Sequence, residues 1–171
     1  MNIETERLLL IPGDIETLAE AIAGTARLSK RLNVTVPDNY SEFGTGPLKY
    51  SHDRLLESEK EIGWWTYFPI YKADNKLIGS GGYKGRPSSE GIVELGYEIA
   101  PEYRNRGLAG EMTMGLIEHA FHDERVKLVI AHTLAETNPS TRVLTKCGFI
   151  QAGEINDPED GLIWRWERGR K

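Results

Sequence analysis

Glu94-Leu95-Gly96-Tyr97-Glu98-Ile99-Ala100-Pro101-Glu102-Tyr103-Arg104-Asn105-Arg106-Gly107-Leu108-Ala109-Gly110-Glu111 is the stretch on which the fold turns. From Val93 to Ile99 it reads as a buried strand. Pro101 has no N–H to give to a neighbouring strand and stops the pairing. Arg104-Asn105-Arg106-Gly107 forms a basic turn, and an apolar helical pattern begins at Leu108. A helix N-terminus carries amide N–H groups without helical partners and the positive end of the macrodipole. Beside a glycine and two arginines, such an end suits a phosphate group. The local pattern alone fits equally an ordinary strand-to-helix turn with solvated arginines.

Downstream of this unit the pattern repeats. The helix keeps its period through Met112, Leu116, Ile117, Ala120 and Phe121 to about Glu124. Lys127 to Leu134 is the next strand. Asn138 is a good N-cap, Pro139 suits the first helical position and Gly148 suits the end, so a second capped helix follows directly. Phe149 to Ala152 and Gly161 to Glu167 read as closing strands around a turn at Asn156-Asp157-Pro158.

Upstream, Glu6 to Ile11 is a first strand ended by Pro12-Gly13. Asp14 caps a helix through about Ala23, with Ile15, Leu18, Ala19 and Ile22 on one face, and Gly24 stops it. Thr25 to Pro47 has a poor pattern and reads as connection, followed by a charged helix from Leu48 to Ile62. This polar region is either a substrate-facing surface or a plain link. Trp64 to Tyr71 and the run from Lys76 form a hairpin about Ala73-Asp74-Asn75-Lys76. Gly79-Ser80-Gly81-Gly82-Tyr83-Lys84-Gly85 faintly resembles a dinucleotide fingerprint. No helix follows it, so its glycines mark a bulge or a close backbone approach instead.

Composition narrows the classes. The chain has 171 residues, long enough for one domain with a real core, residues 1–171 as a single unit. A net charge of −5 argues against broad nucleic-acid binding. No apolar run approaches a membrane span, and the acidic N-terminus lacks a signal-peptide pattern. The single cysteine, Cys147, forbids an internal disulfide and fits a reducing, cytoplasmic compartment.

The order of elements and the motifs together resemble the GNAT superfamily of acyl-CoA-dependent N-acetyltransferases. Arg104-x-x-Gly107-x-Ala109 is similar to its acyl-CoA pyrophosphate signature. Thr5-Glu6-Arg7-Leu8-Leu9-Leu10, Glu94-Leu95-Gly96-Tyr97 and Ser140-Thr141-Arg142-Val143-Leu144-x-Lys146-Cys147-Gly148-Phe149 resemble the Rim-type branch of ribosomal-protein N-terminal acetyltransferases. The resemblance implies an α+β fold, a mixed and mostly antiparallel sheet of six to seven strands splayed at its middle, with about four helices. It implies acetyl-CoA as co-substrate and a peptide, protein or small-molecule amine as acceptor, with a homodimer as the family-level assembly. A degenerate CoA-binding scaffold of the same fold is the alternative.

The resemblance also assigns residues. Backbone amides from Arg104 through Asn105, Arg106, Gly107, Leu108 and Ala109 to Gly110 would hold the pyrophosphate, with charge-assisted help from Arg104 and Arg106. The pantetheine arm would run beside the central strand, and an N–H near Ile99 would polarise the thioester carbonyl. The attacking ammonium must first lose a proton. Glu94 is the first candidate for accepting it, directly or through water, ahead of Glu98 and Glu136. Ser140 matches the position near the CoA sulfur and would assist the departing thiolate, or else only satisfies backbone groups. Asn138 would contact the arm or serve only as a cap, since many relatives carry their asparagine at the position of Thr137. Cys147 reads as a packed side chain. His119, His122 and His132 read as ordinary rather than metal-binding, and no metal is required. Trp64, Trp65 and Tyr67 either line an acceptor cleft or belong to the core.

Overall fold

A computed structural model describes all 171 residues. The strands are β1 (Ile3–Glu4), β2 (Leu8–Pro12), β3 (Thr66–Tyr71), β4 (Lys76–Leu77), β5 (Gly79–Tyr83), β6 (Ile92–Ile99), β7 (Leu128–Leu134), β8 (Ile150–Asp157) and β9 (Gly161–Gly169). The helices are α1 (Ile15–Ala23), α2 (Thr25–Leu32), α3 (Gly46–Glu57), α4 (Leu108–His122) and α5 (Pro139–Lys146). One sheet runs in the order β1-β2-β3-β5-β6-β7-β9-β8, with β4 attached to β3. Every pairing is antiparallel except β6 with β7, which is parallel.

That parallel pair opens a gap in the sheet. β6 and β7 are in register only at Ile92–Leu128, Val93–Val129 and Glu94–Ile130. Beyond Glu94, β6 stays paired with β5 through Ile99 while β7 stays paired with β9 through Leu134. The two strands therefore part, leaving one edge of each without a strand partner. The Lys84 N–H donates to the Glu94 carbonyl at 2.9 Å and the Ala100 N–H to the Ile78 carbonyl at 2.7 Å. Even-numbered residues of β6 thus turn their backbone groups toward β5. Leu95, Tyr97 and Ile99 turn theirs toward the gap.

Side chains alternate in the same register. Val93, Leu95 and Ile99 pack on one face of the sheet in a cluster with Leu108, Met112 and Leu116 of α4, and with Leu144 of α5. Leu108, Met112 and Leu116 recur every four residues, so a single stripe of α4 covers the sheet. Each such fully buried side chain contributes roughly 1.5–3 kcal/mol. A second cluster holds α1, α2 and α3 against the rest of the sheet through Leu18, Leu28, Leu55 and Phe68. No helix is long and apolar enough to cross a membrane.

Several elements depart from expectation. The sheet has nine strands and the chain five helices, more than the six to seven and four expected. The region from Thr25 is not all connection: α2 forms there, beginning at the same Gly24 that ends α1. Only Leu28 of α2 is fully buried, which is why no apolar period shows. The charged helix is shorter than expected and ends in a 3-10 turn over Glu59–Glu61. The last hairpin turns after Asp157, not at Asn156. The glycine run is a strand under close approach: a Cβ built on Gly82 would lie 1.9 Å from the Trp65 carbonyl oxygen.

Candidate active site

The site begins at the N-terminus of α4. Gly107, at φ 76°, occupies the left-handed region, and Asn105 does so at φ 61°. These two reversals let the chain leave the 3-10 turn at Pro101–Tyr103 and enter the helix within a few residues. The Asp14 and Asn138 side chains of α1 and α5 accept first-turn amides, whereas α4, like α2 and α3, has no side-chain cap. Its first amides donate to no capping side chain. A Cβ on Gly110 would meet nothing within 4 Å, so there is room in front of that turn.

Glu111 stands in the same first turn, where its charge would repel an anion. It is held instead. Its carboxylate accepts the Thr5 hydroxyl at 2.6 Å, the Arg7 N–H at 2.7 Å and Arg7 Nε at 2.6 Å. These donors keep it below the usual carboxylate range against the opposing effect of burial. Arg7 also donates to the Arg106 carbonyl at 2.9 Å, so the β1–β2 segment braces the loop from behind. Arg7 lies within the first family-like motif and Glu111 just past the signature loop, but nothing local pairs them.

The two loop arginines are engaged within the protein. Arg104 Nε donates to the Ile99 carbonyl at 2.8 Å and its guanidinium pairs with Glu42 at 3.1 Å. Arg106 donates to the Glu102 carbonyl at 3.0 Å and lies over the Tyr103 ring. Arg104 therefore shapes the turn at Ile99, and its own N–H donates to the Pro101 carbonyl at 3.3 Å. Ile99 has its backbone directed to the gap, with the carbonyl taken by Arg104.

Across the gap, Asn138 and Thr141 form a reciprocal capping box at α5, with the Asn138 side chain accepting the Thr141 N–H at 3.0 Å. Asn138 is thus in place as a cap. Ser140 follows in the first turn, and its main-chain carbonyl accepts the Tyr97 hydroxyl at 3.4 Å, linking β6 to α5. Burial raises the Tyr97 hydroxyl far above its ordinary value, so it stays protonated. Cys147 is buried, its thiol raised by burial, as a packed side chain should be.

Glu94 lies on the face opposite α4, at the last paired position. Its Oε1 accepts Lys84 Nζ at 2.6 Å and His132 Nδ1 at 2.9 Å. Burial works to raise its pKa, but these two donors outweigh it and hold the carboxyl below its ordinary value. Glu98, on the same face, accepts the Glu42 N–H at 3.1 Å. Glu136 is exposed beyond the end of β7. His119 sits elsewhere, on α4 among Trp64, Tyr67 and Tyr83. No group of three or more His, Cys, Asp or Glu side chains is placed to hold a metal ion. Tyr67 and Trp65 are core residues.

A sheet parted between two parallel strands, each leading into a helix N-terminus, defines an acyltransferase scaffold. A model of the acetyltransferase (GNAT) domain matches residues 7–150, and the chain belongs to that family. It is 26% identical over 150 residues to the uncharacterised N-acetyltransferase YjdG of Bacillus subtilis, covering 86% of this chain and 89% of the relative. Among solved structures it resembles RimL, a ribosomal L7/L12 α-N-protein acetyltransferase in complex with coenzyme A, at TM-score 0.69, 12% identity and coverage of 99% and 98%. It also resembles a chimera of the spermidine N-acetyltransferase SpeG from Vibrio cholerae and hSSAT, at TM-score 0.68, 15% identity and coverage of 96% of each chain.

Proposed function

We propose that this chain transfers an acetyl group from acetyl-CoA to a primary amine by direct attack on the thioester. The observation that carries the reading is the uncapped N-terminus of α4 lying next to the unpaired edge of β6. The residues fit the co-substrate. The Arg104 N–H already donates to the Pro101 carbonyl at 3.3 Å, so the amides from Asn105 to Gly110 would receive the pyrophosphate, and Leu95, Tyr97 and Ile99 offer backbone groups along the gap to the pantetheine amides. When bound, acetyl-CoA supplies the activated acyl group. The protein's own part is to align that group near the Ile99 N–H, assist the thiolate from the Ser140 end of α5, and take the amine's proton at the Glu94 end of β6.

The acceptor proposed is a peptide N-terminus or a small polyamine-like molecule, the two classes named for the neighbours in fold. Glu98, on β6 beyond the split, favours a cationic acceptor of either kind. The assembly proposed is a homodimer, measurable by sedimentation. Thiol release from acetyl-CoA across a panel of N-terminal peptides and polyamines tests the activity. Turnover with at least one amine is expected. Absence of acetyl-CoA binding at millimolar ligand would remove the reading, and binding without turnover on any amine would make the chain a CoA-binding scaffold.

A further inference from the structure

Arg104 opens the loop that leads into α4, yet both its main chain and its side chain are engaged within the protein. Its N–H donates to the Pro101 carbonyl at 3.3 Å. Its Nε donates to the Ile99 carbonyl at 2.8 Å, and a terminal nitrogen of the same guanidinium donates to Glu42 Oε1 at 3.1 Å. Glu42 in turn gives its main-chain N–H to Glu98 Oε2 at 3.1 Å. Glu98 and Ile99 are consecutive, so the contacts close a ring from Arg104 through Glu42, Glu98 and Ile99 back to Arg104. Just before Glu42 the chain is pinned twice more. Tyr40 is buried in the second core cluster, and the Asn39 side chain donates to Glu102 at 3.3 Å. The ring also borders the one open face of β6. On one side of the strand, Val93, Leu95, Tyr97 and Ile99 are covered by α4 and α5. Glu94, Gly96 and Glu98 alternate on the other side, where a Cβ built on Gly96 would meet nothing within 4 Å. An amine attacking a thioester at the unpaired edge of β6 therefore comes in over the Gly96 face, beside the segment 39–42.

We propose that Arg104 is a positioning residue and not a pyrophosphate ligand: it braces the segment 39–42, which borders the acceptor's path, against the end of β6 where the Ile99 N–H meets the thioester. This rests on the acetyltransferase reading above. That N–H belongs to the Glu98–Ile99 peptide. Glu42 holds one side of the peptide through the Glu98 carboxylate, and Arg104 holds the other through the Ile99 carbonyl. Arginine suits the task because its planar fork serves two acceptors at fixed angles, which the single ammonium of lysine does not. The Arg104 and Glu42 side chains are 45% and 63% exposed, so the pair adds little to overall stability. Its effect is on geometry. A displacement of about 1 Å at a reacting group is enough to slow a reaction by roughly 10²-fold.

The test compares wild type with Arg104→Gln, Arg104→Lys and Glu42→Ala. Each protein is titrated with acetyl-CoA at low and high salt, then assayed on the best amine of the panel. Arg104→Gln should bind acetyl-CoA within about threefold of wild type and with the same salt dependence, since no guanidinium–phosphate contact is lost. Its kcat/KM for the amine should fall by about 10–100-fold while its melting temperature barely moves. Arg104→Lys should not recover that loss, although it keeps the charge. Glu42→Ala should lose about 3–10-fold, and combining it with Arg104→Gln should add nothing, because both act through one contact. One readout needs neither cofactor nor acceptor. In ¹⁵N NMR of the ligand-free protein, the Arg104 Nε–H should be protected from solvent exchange. The proposal is overturned by an Arg104→Gln variant that loses acetyl-CoA affinity tenfold or keeps its kcat/KM, by rescue with lysine, by additive losses, or by a freely exchanging Nε–H. Wild-type protein that fails to bind acetyl-CoA would instead bring down the parent reading, and the binding titration separates the two failures. If wild type binds acetyl-CoA without turnover, the exchange measurement decides.

Discussion

At the residue scale, reach decides which groups at the gap matter. Tyr97 spans from β6 to the Ser140 carbonyl, but at 3.4 Å the contact is long for a hydroxyl donor, whose usual distance is about 2.7–2.8 Å. Tyr97→Phe should therefore change kcat little and keep stability within about 1 kcal/mol of wild type, read as a nearly unchanged melting temperature. Ser140→Ala tests a different atom. Its hydroxyl is the one proposed to meet a leaving thiolate, so removing it should lower kcat by about tenfold while acetyl-CoA affinity holds. Titration calorimetry alongside steady-state kinetics separates the two. Equal losses of affinity in both variants would mean that Ser140 merely supports the α5 terminus.

At the scale of elements, the uncapped first turn of α4 makes the sharpest claim. Gly107 is left-handed, and a residue with a Cβ there costs about 1–2 kcal/mol in backbone strain. Gly107→Glu also brings a carboxylate to the mouth of the anion site. It should abolish acetyl-CoA binding while leaving the circular dichroism spectrum native, and surviving affinity would refute the loop assignment. Arg7→Ala removes the guanidinium donor from Glu111 and another from the Arg106 carbonyl. The Arg7 main-chain N–H survives the change, so the side-chain loss should cost about 1.5–3 kcal/mol and weaken acetyl-CoA binding, because Glu111 then faces the anion less neutralised. The strand-helix units were legible in the sequence because periodicity and punctuation agree: Pro101, Asn138, Pro139 and Gly148 fall where the structure turns. α2 was not, since one glycine both ends α1 and starts it, and only Leu28 is fully buried. The pairs that build the site were not legible either. Arg7 and Glu111 lie 104 positions apart and meet only because α4 packs on the β1–β2 segment, while Glu94 and His132 lie 38 apart and meet only through the register of β6 with β7.

For the whole molecule, binding and acid should act on stability in opposite directions. Acetyl-CoA at about a hundred times its dissociation constant adds about 2.7 kcal/mol if only the folded chain binds it, which for a chain of this size is a rise of about 5–10 °C in melting temperature. Acid works through groups whose proton affinity differs between folded and unfolded chains. Burial among Tyr67, Tyr83 and Trp64 lowers His119 from 6.5, so below that pH the unfolded chain takes up this proton more readily and stability begins to fall. Glu94 and Glu111 are lowered from 4.5, and Asp123 from 3.8 to about 2 by Arg125. Each carboxylate stabilises the fold fully above its unfolded value, and that contribution is lost as the pH drops through its folded value. Melting temperature measured from about pH 7 downward should decline gently below 6.5 and steeply below 4.5. A curve flat to pH 4 would mean that the Arg7–Glu111 and Lys84–Glu94–His132 contacts are solvated in solution, and would remove the electrostatic frame that holds both ends of the gap.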